Sequence, residues 1–155
     1  MAVEIERKYL LKNDNWRGIV DNGTEYIQGY LVGSKNASVR IRIEGDHAYL
    51  NIKSATLGVR RQEFEYPVPL DEAREILETL CEQPLIKKKR YHVTFGGNTW
   101  EIDEFEGENA GLIVAEIELP DEDIMPDLPD WVGEEVSDDP RYYNVSLVKH
   151  PFKKW

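Results

Sequence analysis

The chain has 155 residues, 41% hydrophobic and 32% charged, which suits one sizeable core and a soluble globular composition rather than a disordered one. Thirty acidic against nineteen basic residues give a net charge of −11, which argues against a general nucleic-acid binder, and no apolar run approaches the roughly 18 residues of a membrane span. The N-terminus, MAVEIERKYLL, carries no signal-peptide apolar stretch, and a lone Cys81 allows no internal disulfide, so a cytoplasmic setting is expected.

Period-2 alternation dominates and predicts strands near 2–10, 24–33, 37–45, 47–54, 61–68, 85–95, 98–106 and 110–119. A short helix is expected near 14–20. Gly45-Asp46, Gly96-Gly97-Asn98 and the stretch Gly107 to Gly111 are turn signals between strands. DEAREILETL at 71–80 reads as a helix, with Asp71 as N-cap and Ala73, Ile76, Leu77 and Leu80 as its apolar face. Cys81 reads as a small packing residue rather than a nucleophile. The acidic, Pro-rich stretch 120–140 predicts loop and short turns, and a last helix is expected at about 141–149. Eight strands joined mainly by hairpins predict one domain over 1–155, mainly β: an eight-stranded antiparallel barrel with a few flanking helices. Closure removes the sheet edges, and eight strands leave room inside for side chains or one small ligand.

Residues two apart on a strand share a face. That rule groups Glu4, Glu6 and Lys8; Arg40 and Arg42; Asn51 and Lys53; Arg61, Glu63 and Glu65; Lys88 and Arg90; Glu101 and Asp103; and Glu116 and Glu118. The usual meaning of such alternation is a sheet with one solvated face. Two features argue otherwise for the set. The face is almost wholly ionic, and its charges come in same-sign pairs where a solvated face would intersperse them. Like charges two strand positions apart sit roughly 7 Å from each other, a repulsion of about 2.4 kcal/mol at an effective dielectric near 20. Paired carboxylates call for a cation, and paired arginines for a multivalent anion. The face holds eight carboxylates and seven cations, so a divalent metal with an anionic phosphate chain could enter without a large net charge. Hard oxygen donors favour Mg²⁺ or Mn²⁺, and Arg and Lys are the usual phosphate partners. Arg7 points away from this face, as do Lys87 and Lys89, which are assigned to solvent. His47, His92 and His150 show no ligand spacing, and His92 is read as structural, with a place facing the tunnel beside Arg90 as its alternative.

The start EIERKYLL resembles the ExExK signature of the CYTH, or triphosphate tunnel metalloenzyme, superfamily, with Glu4, Glu6 and Lys8 in its three positions. QGYL at 28–31, VRIR at 39–42, LNIK at 50–53, KKRY at 88–91, WEIDEF at 100–105, GLIVAEIEL at 111–119 and DDPRYYNVSL at 138–147 look like the small bacterial members, in order along nearly the whole chain. The resemblance implies an antiparallel tunnel that hydrolyses or transfers triphosphates with a divalent metal. It implies Glu4, Glu6, Glu116 and Glu118 as metal ligands, and Lys8, Arg40, Arg42, Lys53, Lys88 and Arg90 as phosphate partners, to which the shared face adds Arg61. Glu63, Glu65, Glu101 and Asp103 are supporting residues that would orient the cations or hold a second metal or the attacking water. Tyr30 resembles a tunnel tyrosine of the family, with core packing as its alternative role. Lys149 is read as solvated surface, on a helix that could plug one tunnel mouth.

The expected function is therefore metal-dependent hydrolysis of inorganic triphosphate to diphosphate and phosphate. Catalysis would rest on Glu4, Glu6, Lys8, Tyr30, Glu116 and Glu118. Alternatives on the same fold are a thiamine triphosphatase, a nucleoside triphosphatase, a class IV adenylyl cyclase or a noncatalytic polyphosphate-binding module. Neither a nucleic-acid nor a membrane partner is expected, and a homodimer is left open.

Overall fold

The computed structural model describes residues 3–56 and 58–155. Nine strands run in chain order: β1 (Val3–Leu11), β2 (Thr24–Gly33), β3 (Ala37–Glu44), β4 (His47–Ser54), β5 (Arg60–Val68), β6 (Ile86–Phe95), β7 (Asn98–Phe105), β8 (Ile113–Glu118) and β9 (Val132–Glu135). Two α-helices are α1 (Leu70–Thr79) and α2 (Asn144–Lys149). Strands β1 to β8 close into an antiparallel barrel in the order β1-β5-β4-β3-β2-β6-β7-β8 and back to β1. Closure depends on β1 changing partners along one edge. Its first residues pair with β5 (Glu4 opposite Arg61), and its last pair with β9 (Tyr9 opposite Glu135).

Four expectations need correction. The 120–140 stretch is not all loop, because β9 forms where the far end of β1 is left unpaired by β5. The expected helix at 14–20 is a single 3-10 turn at Asn15–Gly18. The expected 141–149 helix begins as a 3-10 turn at Pro140–Tyr142, capped by Asp139, and only Asn144–Lys149 is α-helical. Asp71 is not the N-cap of α1. Pro69 holds extended backbone there, and Asp71 and Glu72 fall in the first turn, where the helix dipole favours them. The turn glycines stand as expected: Gly45 (φ +58°) closes the two-residue β3–β4 hairpin, and Gly96 and Gly97 (φ +60° and +79°) close β6–β7.

The barrel is inverted relative to an oil drop, with charge inside and apolar side chains outside. Much of the apolar outer surface is covered by other elements, while Phe64 and Tyr66 on β5 stay exposed. Helix α1 covers β2, β3 and β4, burying Ala73 and Leu77 against Ile41 and Ile43. A Cβ on Gly29 would fall 2.8 Å from Leu77, Cys81 and Leu85, so this close approach requires glycine. Cys81 is buried in the turn after α1, and burial pushes its thiol pKa up, which leaves it unreactive. The 120–136 segment covers β1, β7 and β8. Trp131 meets Trp100 edge-on at 5.7 Å, and Trp100 meets Tyr9 at 5.5 Å. Arg7 faces outward as expected but is tucked under this segment, donating to Glu135 Oε2 at 2.8 Å and to the Glu122 carbonyl at 2.9 Å. No helix among the described residues is long and apolar enough to cross a membrane.

Candidate active site

The alternation that makes the strands also aims their charged residues inward, and barrel closure brings seven separate pairs or triplets around one cavity of about 430 Å³. Glu4, Glu6, Lys8, Tyr30, Arg40, Arg42, Lys53, Arg61, Glu63, Glu65, Lys88, Arg90, Glu101, Glu116 and Glu118 all line it. Asp103 does not reach the cavity. It lies fully buried behind the wall, where it accepts Lys88 Nζ at 2.7 Å and Arg90 Nε at 2.7 Å.

Among the lining residues that escaped the sequence reading are Tyr26, Glu44, Tyr143 and Asn144. Tyr26 puts its ring 4.8 Å from the Arg90 guanidinium and 5.9 Å from that of Arg42. Glu44 pairs with Arg42 at 3.4 Å. Tyr143 and Asn144 come from the C-terminal segment and reach the barrel interior. Tyr26 lay on the inward face of a legible strand, between Thr24 and Gln28, and a single aromatic there gives no functional signal. The last two could not be found from strand alternation at all.

Most of the cations already have carboxylate partners. Lys53 sits 3.5 Å from Glu4 and 3.4 Å from Glu63. Lys8 sits 3.4 Å from Glu116, and Arg90 sits 2.9 Å from Glu101 and 3.3 Å from Glu116. Arg42 is 3.3 Å from Glu65. Two do not: among the described residues Arg40 and Arg61 make no ion pair. Arg40 is buried and donates only to the amide oxygen of Asn51, at 3.3 Å. Arg61 has the Tyr143 ring at 5.2 Å.

The acidic side shows the complementary gap. Glu6 makes no ion pair among the described residues. Burial, then Glu116 and Glu4 beside it, raise its carboxyl well above the usual range. Glu4 Oε2 is buried without a hydrogen bond, and among the described residues its one charged partner is the Lys53 ammonium 3.5 Å away. Glu118, across from Glu6 in the β1–β8 pairing, is also raised, by partial burial and by Glu4 and Glu101. Burial opposes ionisation of Glu116, but Lys8 and Arg90 outweigh it and bring the pKa to about 2. Burial pulls Lys53 and Lys88 down to about 8, with Arg40 adding to the effect at Lys53.

A crowd of carboxylates that raise one another's pKa suits a hard divalent cation. Among the described residues no three acidic, His or Cys groups converge closely enough to cage an ion as they stand. Glu4 and Glu116 are turned toward lysine and arginine, so a metal would have to draw them away. His92 stays outside the cavity. Its backbone and ring bond Asp21 at 3.1 and 3.2 Å, and its other ring nitrogen lies 3.6 Å from Glu101. Lys87 is exposed, and Lys89 lies 5.7 Å from the Tyr91 ring. Lys149 is exposed, on the helix that covers one end of the barrel.

The CYTH domain family model matches residues 2–148. The chain is 50% identical over 155 residues to an inorganic triphosphatase of Acetivibrio thermocellus, covering 100% of this chain and 99% of that protein. It is 32% identical over 152 residues to an inorganic triphosphatase of Nitrosomonas europaea, covering 94% and 96%. A crystal structure of the inorganic triphosphatase NE1496 superposes with a TM-score of 0.68 at 30% identity, covering 96% of this chain and 95% of that one.

Proposed function

The chain belongs to the CYTH domain family, and from that membership we propose that it is an inorganic triphosphatase, cutting triphosphate to diphosphate and phosphate inside its charged barrel. One observation carries the reading. The chamber holds a buried guanidinium without an anion, Arg40, and a half-buried carboxyl without a cation, Glu6. An uncompensated buried charge costs several kcal/mol. A single ligand answers both needs only if it carries a cation and a polyanion together, which describes a metal-bound triphosphate.

In this reading Glu4, Glu6, Glu116 and Glu118 hold Mg²⁺ or Mn²⁺. The metal, when bound, neutralises phosphate charge and makes a bound water a better nucleophile. Arg40, Arg42, Lys53, Arg61, Lys8, Lys88 and Arg90 hold the phosphate oxygens along the chain, as point charges and planar forks. Asp103 fixes the Arg90 guanidinium from behind and Glu101 from the cavity side, so its fork is set before substrate arrives. Glu63 and Glu65 play the same part for Lys53 and Arg42. Tyr30 packs with Ile86 and Val114 at the covered end, where it shapes the chamber wall. Glu65 and Glu118 are exposed lining carboxylates, with Glu44 and Glu101 half-exposed beside them, and they would repel a bare polyphosphate more than its metal complex. Substrate therefore enters as that complex.

Phosphate release tests the reading, measured on triphosphate, ATP, thiamine triphosphate and diphosphate with Mg²⁺ and Mn²⁺ in turn. Triphosphate should be hydrolysed fastest, because its charge spans the whole array. ATP turned into cyclic AMP would favour a class IV cyclase, and tight binding of triphosphate without turnover would favour a binding module.

A further inference from the structure

Among the described residues, one end of the barrel interior is covered by the C-terminal segment. Residues 137–145 cross that end, and three side-chain hydrogen bonds tie them to the cations and amides of the wall. Lys8 Nζ donates to the Tyr142 carbonyl at 3.1 Å, and Asn144 Oδ1 accepts from Lys88 Nζ at 3.2 Å and from Gln28 Nε2 at 3.1 Å. The Tyr143 ring stands between Lys8 and Arg61, 5.7 and 5.2 Å away, and its hydroxyl donates to the Ser137 carbonyl at 2.8 Å. Buried Leu147 and Val148 anchor α2 behind this stop. The strand register places Tyr30, Ile86 and Phe105 at this end, all buried, and Glu44, Glu65 and His92 at the other. The cavity's about 430 Å³ has room for roughly fourteen waters at about 30 Å³ each, enough for a short phosphate chain, and Tyr143 and Asn144 line it.

A linear polyanion entering by the acidic mouth must stop against Tyr143 and Asn144, with any surplus length left outside. We propose that the blind end makes this protein count from the free terminus of the chain. Tyr143 and Asn144 are positioning residues that set the stop, and the bond aligned for attack lies a fixed number of phosphates from it. The substrate class is then any condensed phosphate with one free end, and the cut falls at one bond whatever projects from the mouth. Each cut consumes one water. Its oxygen goes to the attacked phosphorus, the bridging P–O bond breaks toward the other fragment, and the protons are shared between the two phosphate products.

The inference rests on the triphosphatase reading, and inorganic tetraphosphate separates the two. Triphosphate yields phosphate and diphosphate wherever it is cut. Tetraphosphate yields either phosphate with triphosphate or two diphosphates, which early-time ³¹P NMR distinguishes. The wild-type protein should hydrolyse triphosphate and give one of the two tetraphosphate patterns alone. Tyr143→Ala and Asn144→Ala, which let the chain slide deeper, should lose that single pattern and give both. Tyr143→Phe keeps the ring and should keep the single pattern, and thermal melting checks that each variant is folded. A wild-type protein that gives both patterns, or that cuts triphosphate and leaves tetraphosphate intact, overturns the blind-end account. So do folded alanine variants that retain the wild-type pattern. No triphosphate hydrolysis at all would instead remove the reading beneath it.

Discussion

Arg90 grips Asp103 with two sides of its guanidinium, Nε to Oδ1 at 2.7 Å and one terminal nitrogen to Oδ2 at 2.9 Å. Asp103 has no exposed surface, and Lys88 completes its coordination from the cavity side. The carboxylate is therefore part of the wall that aims the cations rather than a group that meets the ligand. Burial opposes its ionisation, yet Arg90 and Lys88 hold its pKa far below the ordinary value.

Asp103→Asn should leave two buried cations short of an anion. Breaking a buried pair by removing one partner costs about 3–5 kcal/mol. Denaturant unfolding should show a loss of that order. The variant should also lose the acid sensitivity that Asp103 contributes: with a folded pKa below the unfolded one, its stabilisation is present above about pH 4 and lost as pH falls through the folded value. A variant as stable as the wild type at neutral pH would contradict this.

Glu6→Gln should behave in the opposite way. It removes a carboxylate that burial, Glu116 and Glu4 already disfavour. Ligand-free melting temperature should hold or rise, while triphosphate hydrolysis is abolished. Retention of full activity at low metal concentration would remove Glu6 from the metal set.

Lys53 and Lys88, both brought to about 8 by burial, set a pH limit on substrate binding. Above that pH each gives up its proton and its hold on phosphate, so KM for triphosphate should climb as pH passes about 8. Ligand-free stability should move the other way. The unfolded chain keeps these protons up to about 10.4, so it binds more of them between the two values, and stability from these lysines rises with pH there. Lys88→Met should flatten part of that rise. A KM flat from pH 7 to 10 would mean that these ammonium groups do not meet the phosphates.

Trp131→Ala tests the outer layer. Trp131 and Trp100 are both almost fully buried, and truncating such a residue costs about 3–5 kcal/mol. The cost should appear in unfolding, with kcat of the folded fraction little changed, because the tryptophan covers the barrel from outside. A selective loss of kcat without loss of stability would mean that the 120–136 segment acts on the chamber.

The strands and their inward charges were legible because alternation is a local property: Arg40 and Arg42, or Glu116 and Glu118, declare one face from sequence spacing alone. Strand β9 was not legible, since Val132–Glu135 is too short to alternate and exists only because β1 outruns β5. The Asp71 cap failed because Pro69, two residues earlier, already ends the strand and starts the turn. The site shows the same division. Which cations share a wall can be read from spacing, but which of them lack a partner depends on distances across the barrel. Tyr143 and Asn144 belong to the site through tertiary placement, on a segment with no strand period to betray them.

The central claim is that metal and phosphate chain are compensated in one shared chamber, and thermal melting across four conditions tests it most directly: no ligand, Mg²⁺ alone, a slowly hydrolysed triphosphate analogue with chelator, and both together. Saturation at about a hundred times the dissociation constant adds about 2.7 kcal/mol, which for a chain of this size is a shift of several degrees. In the wild type the joint shift should exceed the sum of the separate ones, because each ligand alone leaves either Glu6 or Arg40 uncompensated. In Glu116→Gln the excess should shrink. Additive shifts in the wild type would mean that metal and triphosphate bind independently, and would contradict the account.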